Sequence, residues 1–339
     1  MVEVNIKLYE ILKCGYYKNR SKDPSFGSTK LTIEQVVDWV KDKPIRANST
    51  YDPPLDSSLL KAHFLNILKS KTGDYYFSIW NAVPATEQNA VAAISGSSVL
   101  GLANMEFSDF KKDYIPGFAT YFWLSPIENR LATVRFRRSY NGHQSFKALM
   151  QGFLSNNPTY ALLKKDLANE SVTISGYDIE EKSDPRFLYF PKFRTSSMTK
   201  HGPISYIKKN ISRVTKILGR TRLVPGIKKA LIKYNFLFGL FGIRTLKENL
   251  NSDFEVKYEI PCSLSLMEFN EIYETWKSDD AQIDVGFRIG GELIWLSHEI
   301  QKTEIELEIP MENKELYSLN AIMEQIERNK ERILYECSK

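Results

Sequence analysis

The sequence predicts an α+β protein of two domains, with antiparallel sheets and flanking helices, plus a basic helical segment between them. Three observations carry that expectation. Apolar residues alternate at period two in some stretches and recur at helical spacing in others. Neighbouring strand candidates are separated by hairpin-length connections, one of them the dipeptide Gly290-Gly291. Finally, one central stretch holds every charge of a single sign. A chain of 339 residues is the size of two domains. We place an N-terminal α+β domain at 1–180, the basic segment at 181–250, and a C-terminal α+β unit with a terminal helix at 251–339.

Val2 to Leu12 alternates as a strand does. Thr32 and Gln35 form a capping-box pattern before Ile33, Val36, Val37 and Val40, predicting a short amphipathic helix. After a polar stretch with Pro53-Pro54, the residues Leu60, Phe64, Ile67 and Leu68 recur at helical spacing and predict a helix over Ser57–Ser70. Gly73-Asp74 breaks it, and the aromatic run Tyr75–Trp80 reads as a buried strand. Ala82–Asn104 reads as a loop with some extended structure. Phe118–Leu124 and Leu131–Arg138 are strands joined by a hairpin loop, and Gln144–Leu154 is a helix presenting Phe146, Leu149, Met150 and Phe153. Helices are expected on one face of this sheet.

Beyond the basic segment, strands are expected at Phe254–Ile260, Ile283–Ile289, Glu292–Leu296 and Thr303–Ile309. Ser265 and Glu268 form a second capping-box pattern ahead of a helix over Leu266–Trp276. A charged helix from about Glu315 to Glu336 closes the chain on Leu319, Ile322, Ile326, Ile333 and Leu334.

Composition narrows the function classes. With 19 Phe, 18 Tyr and 5 Trp, the chain has the apolar surface a folded core needs. Cys14, Cys262 and Cys337 lie too far apart for a disulfide scaffold or a cysteine zinc site. The alternating, acid-bearing N-terminus is unlike a signal peptide. The longest apolar run, Phe236–Ile243, is shorter than a membrane span requires. A cytoplasmic protein is expected.

Charge is the informative quantity. Between Pro185 and Lys247 there are 15 Lys and Arg and no Asp or Glu, whereas the remaining 31 basic residues face 41 acidic ones. On a helical wheel, Ile204, Ile207, Ile211, Val214 and Leu218 fall within about 80° of one another, and Lys209, Arg213 and Lys216 within about 60° on the opposite side. That pattern predicts a helix with a cationic ridge, stopped at Gly219. Lys208 flanks the ridge, and Arg220 and Arg222 fall in the next turn, a weak helix-turn-helix signal. Pro225 would start another helix carrying Lys228, Lys229 and Lys233. Arg135 and Arg137 alternate on a strand end and form a smaller cluster. A solvated face mixes signs because like charges repel, so these cations point to a polyanion. Phosphate contacts position a protein without reading bases, and they do not by themselves separate DNA from RNA.

Catalytic signatures are weak. His63, His143, His201 and His298 are scattered, and neither a phosphate-binding glycine loop nor a nucleophile elbow occurs. Glu255-Val256-Lys257 with Asp253 is a fragment of a metal-dependent nuclease site, in which carboxylates hold Mg²⁺ and the lysine stabilises developing charge. Glu304, Glu306 and Glu308 alternate as an exposed strand face does. No catalytic residue, metal or cofactor is assigned. The basic segment with Phe236, Phe238 and Phe241 leaves a membrane-surface or partner-docking alternative open.

Several fragments resemble the phage lambda RexA exclusion protein family. They are Gly73–Trp80, Pro116–Phe122, Arg130–Phe136, the Gln144–Leu154 helix, Tyr189-Phe190-Pro191-Lys192-Phe193 and Arg332–Cys337. The segment around Ile204–Phe241 departs from that pattern. The resemblance implies a homodimer that binds double-stranded DNA with little sequence preference. It further implies a role in phage exclusion, working with a membrane effector encoded nearby.

Overall fold

The alternation that begins at Val2 extends further than its first apolar residues suggest, and folds as β1 (Val2–Tyr17). A computed structural model describes residues 1–54, 57, 59–83, 92–107, 113–136, 140, 142–166, 171–179, 188–223, 254–278, 283–313 and 315–339. The fold is α+β with antiparallel strand pairing. It divides into two units. The first comprises Met1–Pro53, Leu60–Thr195 and Lys302–Cys337, and the second Pro54–Leu59, Ser196–Gln301 and Ser338–Lys339.

In the first unit β1 is followed by α1 (Thr29–Val40), β2 (Ala62–Lys69), β3 (Tyr75–Ala82), β4 (Ala93–Ser95) and β5 (Met105–Glu106). Then come β6 (Tyr114–Ser125), β7 (Arg130–Arg135), α2 (His143–Asn156), the hairpin β8 (Ala161–Asp166) and β9 (Ser171–Tyr177), and β10 (Phe190–Ser197). The second unit carries α3 (His201–Lys209), β11 (Val214–Leu223), β12 (Phe254–Pro261), α4 (Leu266–Ser278), β13 (Ile283–Ile289) and β14 (Glu292–Trp295). The chain then returns to the first unit for β15 (Lys302–Leu307) and α5 (Leu319–Ser338), although Ser338 itself falls in the second. The stretch expected to form a separate C-terminal unit is therefore shared, because β15 pairs along β1 from Val2 opposite Leu307 to Lys7 opposite Lys302.

The main sheet runs β10-β1-β7-β6-β3-β2. One face carries Tyr9, Phe77, Ile79, Phe122 and Leu131, which pack with Ile33 and Val36 of α1 and Phe146, Leu149 and Phe153 of α2. The alternate residues Tyr76, Trp80, Trp123 and Val134 are also buried. That second face meets α5: the Tyr76 hydroxyl donates to Glu327 at 2.9 Å, and Lys330 reaches Asp74 at 2.7 Å. Helices thus cover both faces, not one. Alternation elsewhere in the sheet did not show this, although aromatic residues at both parities of β3 mark that strand as buried on both sides.

Two local expectations are corrected here. Ser57–Ser70 is not a helix, since Ala62–Lys69 is strand β2 with a register shift between Phe64 and Asn66. The bulge lets Phe64 and Ile67 oppose Ile79 and Phe77 on one face, three residues apart, which imitates helical spacing. The first helix begins earlier than expected: Ser28 is its N-cap, its hydroxyl accepting from the Leu31 N–H at 3.2 Å. Gln35 instead donates to the Tyr160 hydroxyl. The second capping box does form, with the Ser265 N–H donating to Glu268 at 2.8 Å and the Glu268 N–H to the Ser265 hydroxyl at 3.2 Å.

Candidate nucleic-acid interface

The second unit is a four-stranded sheet of order β12-β11-β13-β14. Ile204 and Ile207 of α3 and Phe269, Ile272 and Trp276 of α4 pack with Val214, Ile217, Val285 and Phe287 of the strands. Both helices therefore cover the same sheet face. The hairpin turn Gly290-Gly291 between β13 and β14 uses positive φ at both residues, 56° and 98°. The two ends of the unit are fastened together: the Lys200 N–H donates to the Glu299 carbonyl at 2.7 Å and the Gln301 N–H to the Met198 carbonyl at 2.8 Å.

The expected continuous helix over Ile204–Leu218 does not form. Its first part is α3, a short 3-10 turn covers Ile211–Arg213, and Val214 onward is β11. The cause is again a bulge. The register shifts between Val214 and Lys216, so that Val214 opposes Ile289 and Ile217 opposes Phe287, both on the helix-covered face. Three-residue spacing carried the helical pattern across a strand. Gly219 is not a helix stop either, nor do Arg220 and Arg222 lie in a turn, because all three belong to β11. At Gly219 a Cβ would stand 1.8 Å from Cζ of Tyr258, so glycine is required by the ring on the neighbouring strand.

The single cationic ridge is thereby divided into two chemically different sets. Lys216 and Arg220 alternate on the sheet face opposite the helices, where β12 and β13 supply carboxylates that the local sequence lacks. Lys216 Nζ lies 3.0 Å from Glu259, which also faces Arg288 at 3.9 Å. The Lys216 hydrogen bond holds the Glu259 carboxyl below its ordinary range. Arg220 is bound more completely: Nη2 lies 2.7 Å from Asp284, and the guanidinium sits 4.3 Å above the Trp295 ring. Asp284 also accepts from the Ser297 N–H at 3.0 Å. These are structural cations. The register sets Arg222 opposite Glu255 and Arg220 opposite Lys257.

Lys208, Lys209 and Arg213 form the other set. All three are exposed, and none has a carboxylate within ion-pair distance among the described residues. Arg213 donates to Asn210 Oδ1 at 3.1 Å, and its Nη2 occupies the space a Cβ on Gly290 would need. Its guanidinium is thus placed by an amide and a glycine turn rather than by a counter-charge. Lys208 Nζ lies 5.9 Å from the Tyr273 ring centroid, and Lys277 Nζ lies at the same distance from that ring. Lys277 was not foreseen, because α4 mixes signs along its sequence and only the fold sets both Lys208 and Lys277 within reach of the Tyr273 ring.

Lys228, Lys229, Lys233 and Arg137 lie outside the described residues, as do Asp253 and the run Phe236–Phe241. Arg135 stands on an interior strand of the main sheet. β7 lies between β1 and β6, and Arg135 donates to Asn5 Oδ1 at 2.9 Å. His63 and His143 are buried, with ring nitrogens 2.8 Å from the Ile45 carbonyl oxygen and 2.9 Å from the Thr195 hydroxyl respectively. Among the described residues, no three His, Cys, Asp or Glu side chains come together as a metal site, and no helix is long and apolar enough to cross a membrane. Set against known proteins, the chain matches no family model, no curated protein and no solved structure.

Proposed function

We propose that the chain is a sequence-tolerant, double-stranded DNA-binding protein of phage defence, which holds phosphates with Lys208, Lys209, Arg213 and Lys277. One observation carries the reading: these cations lack carboxylate partners among the described residues, whereas Lys216 and Arg220 in the same unit have them. Like charges without counter-charges create a field that a polyanion neutralises with release of its counterions. The role in phage exclusion, the homodimer and the membrane effector rest on the RexA resemblance.

Fluorescence anisotropy of the full chain on a random-sequence duplex, at two salt concentrations and with or without Mg²⁺, tests the proposal. Binding weakens steeply with salt and is lost in the Lys208→Glu, Lys209→Glu, Arg213→Glu variant. Unchanged affinity in that variant overturns the assignment. DNA that is cut with Mg²⁺, and left intact by Glu255→Gln, replaces it with the nuclease reading.

A further inference from the structure

Strand β10 stands at one end of the main sheet, hydrogen-bonded to β1. Helix α2 fixes its orientation. Phe193 packs in the core with Phe146, and the Gln151 side chain accepts from the Phe193 N–H at 2.8 Å and donates to the Pro191 carbonyl at 3.1 Å. Alternation along the strand therefore turns Phe190, Lys192 and Arg194 away from α2. Phe190 is 41% exposed, Arg194 is exposed and Lys192 is half-buried.

All three side chains are open. Among the described residues neither cation has an ion pair, a side-chain hydrogen bond or a ring contact, and the Phe190 ring meets no other ring. On β1, Lys13 donates to the Ser21 carbonyl at 2.7 Å and lies 4.5 Å from the Tyr17 ring centroid. Partial burial, and then the charges of Lys192 and Arg194, hold its ammonium below the ordinary range, while Asp23 acts the other way. The turn that Lys13 fastens carries a further cation, Arg20, whose φ of 62° is one that glycine or asparagine usually takes. Lys192 and Arg194 come from the same carboxylate-free stretch as Lys208 and Lys209, yet they belong to the first unit.

Alternate residues of a strand lie about 6.6 Å apart, comparable to the step between successive phosphates of a nucleic-acid strand. An open ring face stacks on a base only where that base is unpaired. From this combination we infer that the face of β10 turned away from α2 binds single-stranded nucleic acid, with phosphates at Lys192 and Arg194 and a base on Phe190. Every base has a π-face, so the site is tolerant of sequence. An anionic membrane calls for cations and apolar anchors spread along an amphipathic face, whereas Phe190, Lys192 and Arg194 follow one line along a strand. The site belongs to the first unit and uses none of the cations proposed above for duplex DNA.

Fluorescence anisotropy with labelled oligothymidylate tests this inference on the full chain and on its Lys208→Glu, Lys209→Glu, Arg213→Glu variant, which lacks the proposed duplex-binding cations. The oligonucleotide binds both. In that variant, adding Lys192→Glu and Arg194→Glu abolishes binding, and adding Arg194→Gln alone lowers the slope of log K against log salt by about 0.7. Phe190→Leu, which keeps an apolar side chain, weakens binding about tenfold, whereas Phe190→Trp retains it. Duplex affinity of the parent chain is unchanged by the β10 substitutions, so failure here and failure of the duplex proposal are told apart. Three results overturn the inference: no binding of the oligonucleotide, affinity unmoved by the β10 substitutions, or phosphatidylglycerol vesicles binding through these residues in its place.

Discussion

The Lys330 ammonium of the terminal helix lies 2.7 Å from Asp74 Oδ2, a carboxylate whose side chain is only 2% exposed. The same oxygen accepts from Trp123 Nε1 at 2.8 Å. Helix α5 is thus joined to the sheet through a buried charge as well as through Ile322, Ile326 and Ile333. Replacing Lys330 by Met leaves that carboxylate without its counter-charge and is expected to cost about 3 kcal/mol or more. Adding Asp74→Asn restores most of the stability, since both charges are then gone. Urea unfolding of the two variants checks the difference.

The two sets of cations in the second unit predict different salt behaviour. Removing one phosphate-binding cation lowers the slope of log K against log salt by about 0.9 on duplex DNA. Lys209→Gln therefore flattens the slope by about that amount, whereas Lys216→Gln, already paired with Glu259, leaves it unchanged. Anisotropy titrations across salt measure both slopes.

Arg220 predicts stability rather than binding. Arg220→Ala removes the partner of Asp284, which is 13% exposed, together with the cover over Trp295. A destabilisation of the second unit by about 3 kcal/mol is expected, with duplex affinity retained below the new unfolding midpoint. Arg220→Lys recovers little, because a point charge does not reproduce the stacked fork.

His63 predicts an acid limb in stability. Burial pushes its imidazole down to about 4 from an ordinary 6.5, outweighing the hydrogen bond to the Ile45 carbonyl. The unfolded chain takes up the proton first as pH falls, so stability drops below about pH 6.5 and stops dropping near pH 4. The shift amounts to about 3 kcal/mol. Stability of His63→Gln, followed by urea unfolding between pH 7 and 4, falls less by that amount.

β1, β3, β6, β7, β12, β13, β14 and β15 were legible, because they follow alternation or apolar runs bounded by turn residues. β8, β9 and β10 were not foreseen, and the two strands misread as helix share one cause. In β2 and in β11 a bulge shifts the register, so Phe64 and Ile67, and Val214 and Ile217, face one side at three-residue spacing. A wheel plotted from sequence reads that spacing as a helix. The site was legible as charge but not as geometry. Lys216 and Arg220 looked uncompensated only because Glu259 and Asp284, which neutralise them, come from strands far along the chain. Tyr273, whose ring lies within reach of both Lys208 and Lys277, carries no sequence signal of that role.

The pairing of β15 with β1 has a consequence for the order of assembly. Val2 finds Leu307 across the ladder, so a chain emerging from the ribosome presents its first strand long before that partner exists. Apart from Pro54–Leu59 and Ser338–Lys339, the second unit is the single stretch Ser196–Gln301, and its closing hydrogen bonds at Lys200 and Gln301 need nothing synthesised later. The inserted module is thus ready to fold while its host still waits for its last strand and helix. The Val2–Lys7 part of one β1 edge stays uncovered until β15 is made, a nascent-chain state open to chaperones or to premature pairing.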